Sequence, residues 1–131
     1  MPVTDPFHNK VAVITGAAQG LGLAYAMALA ERGAQVVISD PGTDRSGQGQ
    51  DASALEHALT AMRGKGFAVV GHAGQLEDEG ACKQLVELAI EQFGALDILI
   101  HNAGWVDYQR IEDHESAFLH RALGINCLLY T

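Results

Sequence analysis

Residues 11–22 read VAVITGAAQGLG. Val11 to Ile14 is a continuous apolar run rich in β-branched side chains, as a strand reads when both of its faces are covered. Thr15 to Gly22 follows at once and carries Gly16, Gly20 and Gly22. From Gly20 to Arg32 the chain is almost wholly apolar, which reads as a helix pressed against a sheet, with Gly33 as its stop. Strand, glycine turn and helix in that order suit a phosphate-binding turn. Glycine permits positive φ and close approach to the backbone, and a helix N-terminus offers unpaired N–H groups with a partial positive charge. A glycine turn needed only for tight strand–helix packing is the alternative reading.

Beyond this stretch, three more short apolar runs recur: Val36 to Ile38, Phe67 to Val70 and Leu96 to Ile100. Between them lie two further helical segments. Asp51 to Lys65 carries Leu55, Leu59 and Met62 on one face, and Asp78 to Phe93 carries Cys82, Val86, Ala89 and Phe93. Strands alternating with helices predict βαβ units, right-handed crossovers and a parallel sheet. Residues 41–50, PGTDRSGQGQ, read as a solvated loop. Ile111 to Thr131 reads as a last helix, with Glu112, Asp113 and Glu115 favouring its positive end; Glu77, Asp78 and Glu79 do the same for the helix before it.

Composition narrows the function classes. A chain of 131 residues suits one domain. Eight Lys and Arg against 16 Asp and Glu leave a net charge of -8 and no basic stretch, so nucleic acid is not expected as a partner. Val11 to Ala30 has no charged residue, but its glycines and polar Thr15 and Gln19 speak against a membrane span. Cys82 and Cys127 have no metal spacing and no disulfide framework, which suits a reducing compartment; a cytoplasmic protein is expected. The histidines sit at no metal-ligand spacing, and no metal is expected.

Asp40 ends the second strand run, 24 residues after Gly16. In a dinucleotide fold a carboxylate there accepts hydrogen bonds from the adenosine ribose, and its charge repels a 2′-phosphate. NAD is therefore expected over NADP. Arg45 is near enough in sequence to reach a phosphate, which keeps NADP open, and a turn-starting Asp before Pro41 is the plainer reading of the same residue.

These motifs resemble the short-chain dehydrogenase/reductase family, in its N-terminal, cofactor-binding half. TGAAQGLG at 15–22 fits the family's T-G-x-x-x-G-x-G, HNAG at 101–104 fits its N-N-A-G, and Asn126 fits the helix asparagine of its catalytic tetrad. The resemblance implies an α/β chain with a Rossmann-type doubly wound parallel sheet, whose usual strand order is 3-2-1-4. It implies a single incomplete NAD(P)-binding domain over 1–131, truncated after the fourth strand and the helix that follows. By position, Gly16, Gln19, Gly20, Leu21 and Gly22 would surround the pyrophosphate and neighbouring ribose. Asp40 would hold the adenosine ribose, Gln75 and Leu76 would flank the adenine, and Asn102, Ala103 and Gly104 would line the cleft. Gln75 stands where the family usually has Asp, and His101 replaces the first Asn of N-N-A-G as a packed, hydrogen-bonded link. The family transfers hydride between a nicotinamide cofactor and an alcohol or ketone, and its full-length members are expected to be homo-oligomers.

One further motif is missing. The family uses a Tyr as general acid or base with a Lys four residues on, because a phenol titrates near ~10 and needs a neighbouring cation to act at neutral pH. Four residues after Tyr25 stands Leu29, and four after Tyr108 stands Glu112. Tyr130 is followed only by Thr131. Asn126 alone of the tetrad is present. Two readings follow: an NAD-dependent oxidoreductase, or an inactive fragment that at most binds a dinucleotide.

Overall fold

A computed structural model describes residues 5–42, 53–74, 79–103, 110–113 and 115–117, with His120 and Leu123. Its strands are β1 (Val11–Thr15), β2 (Gln35–Asp40), β3 (Val69–Ala73) and β4 (Ile98–Ile100). Its helices are α1 (Gly20–Glu31), α2 (Ser53–Gly64) and α3 (Glu79–Phe93). The sheet is parallel, as the alternation of elements predicts, and its order β3-β2-β1-β4 is the usual one for the fold that the resemblance implies.

The chain moves outward from β1 to β3 and then returns across β1 to β4. With right-handed crossovers, that reversal sends α3 to the opposite face from α1 and α2. The two cores show it. Ala12, Ile14, Val36 and Ile38 pack with Ala26, Leu29, Leu59 and Met62 of α1 and α2. Val11, Val13 and Val37 pack with Leu85 and Ala89 of α3. Alternate residues of β1 thus enter opposite cores, and all five are buried. Hence the run is continuous rather than alternating.

α1 ends where Gly33, at φ +89°, lets the Ala34 amide turn back to the Leu29 carbonyl. No helix among the described residues is long and apolar enough to cross a membrane.

Four sequence expectations need correction. β3 begins at Val69, not Phe67, and runs on through Gly71, His72 and Ala73. It is an edge strand only partly covered, so apolar content does not mark its end. Gly71 is small because Leu59 packs where a Cβ would stand, with Leu59 Cδ1 only 2.6 Å from that position. β4 begins at Ile98 rather than Leu96. Asp97 just before it makes two bonds to Val11: its carboxylate accepts from the Val11 amide and its own amide donates to the Val11 carbonyl, both at 2.9 Å. On α3 the buried stripe is Ala81, Leu85 and Ala89 at spacings of four. Val86 lies off that stripe and is 46% exposed. Last, Ile111–Asp113 forms a single 3-10 turn instead of opening an α-helix, and Glu112 pairs with Arg110. Residues 116, 117, 120 and 123 are helical; the rest of the expected last helix and most of the 41–50 loop lie outside the described residues.

Candidate dinucleotide site

The C-terminal ends of β1, β2 and β4 meet at the glycine turn. Gly16 leaves β1 at φ +63°, and a Cβ there would stand 2.9 Å from Ala103 Cα. Gly22 is more confined: its Cβ would stand 2.3 Å from the Gly16 carbonyl oxygen and 2.7 Å from Asn102 Nδ2. These two glycines let the turn fold against the end of β4. Gly22→Ala is expected to destabilise the fold by about 1–3 kcal/mol, because the clash is with backbone that cannot rotate away. Chemical denaturation measures it, and an unchanged midpoint would contradict the packing described.

The turn is pinned from both sides. On the β2 side, the Ala17 amide donates to the Ser39 carbonyl at 3.1 Å, and the Ala18 amide donates to the Asp40 carboxylate at 3.2 Å. Asp40 also accepts from the Gly42 amide at 2.9 Å. It therefore ends its strand and starts a turn, while keeping its carboxylate beside the glycine turn. On the β4 side, Asn102 Nδ2 donates to the Gly16 carbonyl at 3.2 Å. The amides of Asn102 and Ala103 both donate to the Thr15 hydroxyl at 3.0 Å, and His101 Nδ1 lies 2.9 Å from the same oxygen. Sequence reasoning expects His101 as a hydrogen-bonded link, and it is one.

The remaining turn is open. Gly20, also at φ +63°, has nothing among the described residues within 4 Å of where a Cβ would stand. Gln19, the residue before α1, makes no side-chain capping bond, and the first turn of α1 has no acidic residue. The positive end of this helix thus has no side-chain counterpart of its own beside an exposed backbone. Gln19 and Leu21 are solvent-exposed at its rim. These features fit an anionic pyrophosphate, and Gly16, Gln19, Gly20, Leu21 and Gly22 are the residues that would hold it. Of the other expected site residues, Asp40, Asn102 and Ala103 join this cluster. Gln75, Leu76, Gly104 and Asn126 lie outside the described residues.

One polar pair escapes sequence reasoning. Ser39 is fully buried, and its hydroxyl lies 3.2 Å from His72 Nδ1 across the β2–β3 register. Burial pushes the His72 imidazole below its ordinary value of 6.5, against a hydrogen bond with Gln84 that favours the charged ring. The one signal for it in the sequence is a serine at the end of an otherwise apolar run. Among the described residues, no group of His, Cys, Asp and Glu could hold a metal ion.

The family profile described as short chain dehydrogenase matches residues 10–128. The chain belongs to the short-chain dehydrogenase family. It is 38% identical over 118 residues to the peroxisomal multifunctional enzyme type 2 of Mus musculus, covering 88% of this chain and 16% of that protein. To an uncharacterized oxidoreductase of Methylorubrum extorquens it is 39% identical over 121 residues, covering 92% of this chain and 46% of that one. The structure of L-sorbose reductase from Gluconobacter frateurii, solved with NADPH and L-sorbose, superposes with a TM-score of 0.85 at 26% identity. That match covers 98% of this chain and 46% of the reductase. This short-chain dehydrogenase chain thus spans less than half the length of each of these relatives.

Proposed function

We propose that this chain is the cofactor-binding part of an NAD-dependent oxidoreductase that moves a hydride between the nicotinamide and an alcohol or ketone. The observation that carries the reading is the open glycine turn at the start of α1, with the Asp40 carboxylate held beside it by the Ala18 amide. Bound NAD supplies a hydride acceptor at its nicotinamide ring. The chain's own part is to bind and orient. The turn backbone holds the pyrophosphate, Asp40 holds the adenosine ribose, and Asn102 and Ala103 border the cleft. A cytoplasmic location and homo-oligomeric assembly of the full-length enzyme belong to the same proposal. The lack of any Tyr with a Lys four residues on favours a second reading for this polypeptide taken alone, a dinucleotide binder without turnover.

Cofactor choice tests the site. A carboxylate a few ångströms from a 2′-phosphate costs about 1–4 kcal/mol in a partly solvated cleft. NAD is expected to bind more tightly than NADP, and Asp40→Ala should narrow the gap. Asp40→Asn should narrow it too, while its single amide oxygen still accepts from one of the two amides, Ala18 or Gly42, that the carboxylate serves with separate oxygens. Titration calorimetry measures both, and tighter NADP binding by the unsubstituted protein would overturn the assignment.

A further inference from the structure

Thr15 is fully buried, and its hydroxyl oxygen lies within hydrogen-bond distance of three nitrogens. A hydroxyl has one proton and two lone pairs. The backbone N–H groups of Asn102 and Ala103 can only donate, so they occupy both lone pairs. The single hydroxyl proton is left for His101 Nδ1, which must then be bare, with the ring proton on Nε2.

We infer that His101 is a positioning residue for the glycine turn: as the Nε2–H tautomer it takes the Thr15 proton and so aims both Thr15 lone pairs at the amides of Asn102 and Ala103. Those amides hold the end of β4 in place, and from there Asn102 Nδ2 holds the Gly16 carbonyl. His101 thus acts on the turn through Thr15.

The side chains the position tolerates follow from reach. Nδ1 of His and Oδ1 of Asn each stand two bonds beyond Cβ, so asparagine offers an acceptor at the same distance. Glutamine carries its amide oxygen one bond farther, and leucine offers no acceptor. His101 therefore does the work of an asparagine with a rigid ring.

Only the consequence for NAD binding rests on the proposed dinucleotide site; the tautomer and the amide bonds do not. Long-range proton–nitrogen NMR of the purified protein at neutral pH is expected to show His101 with a bare Nδ1. Amide hydrogen exchange should find Asn102 and Ala103 as protected in His101→Asn as in the parent. In His101→Gln and His101→Leu those two amides should exchange roughly 5- to 150-fold faster, the range for one unsatisfied buried hydroxyl. NAD should weaken by a similar factor in the Gln and Leu variants and stay within about threefold in the Asn variant. A proton on Nδ1 at neutral pH, or a Leu variant as well protected as the Asn variant, would overturn the inference. If the NMR and exchange results are as expected but no form binds NAD, the inference holds and the dinucleotide reading fails.

Discussion

Thr15→Val is expected to lower folding stability by about 2–6 kcal/mol, since two N–H groups turned toward the buried Thr15 side chain each lose their acceptor at roughly 1–3 kcal/mol apiece. The Thr15 hydroxyl is the acceptor for both the Asn102 and Ala103 amides, and it is sealed from solvent. Valine has nearly the same shape, so no cavity is made and the loss reports the hydroxyl. Thr15→Ser keeps the oxygen and removes one methyl group, and should cost only about 1 kcal/mol. Because a domain is stable by about 5–15 kcal/mol, the valine variant is expected to be marginal and the serine variant folded. Urea denaturation of the pair gives the comparison. Equal midpoints for Val and Ser would mean that the hydroxyl does not join β1 to β4.

The second large effect is catalytic. The 131-residue chain by itself is expected to bind NAD and to show no hydride transfer with any alcohol or ketone. Its sequence holds no tyrosine with a lysine four positions on. Losing general acid–base help costs about 10²–10⁴-fold, and losing the cation that would anchor the nicotinamide ribose adds a positioning loss. Absorbance of the reduced nicotinamide, followed over a broad panel of alcohols and ketones, would detect turnover. Robust activity from the purified chain would show that another residue moves the proton.

The Thr15 network shows why a buried hydroxyl at the end of a strand is hard to value from sequence. Thr15 opens the glycine motif, yet its partners are 86 to 88 residues away. Spacing along the chain cannot show that one oxygen serves three nitrogens. Asp97 is similar. In the sequence it is a lone charge in an apolar run, and in the fold its carboxylate binds the Val11 amide across 86 residues.

Fold class and the position of the glycine turn are legible in the residues alone, and the strand order follows from the family resemblance they carry. The signals for these are local and strong: continuous β-branched runs, glycines at the helix ends, and a strand–turn–helix order around Gly16. Right-handed crossovers then leave few topologies to choose from. Where β3 and β4 begin, which stripe of α3 is buried, and how the turn is held are set by packing in three dimensions. The limits of an edge strand depend on pairing with a neighbour, so β3 runs on through His72 although its apolar signal ends at Val70. The rotation of α3 depends on the sheet surface it meets, which selects Leu85 and leaves Val86 in solvent. The clamp of Thr15, His101, Asn102 and Ala103 exists only where β1 and β4 lie side by side, because hydrogen bonds are fixed by distance in space.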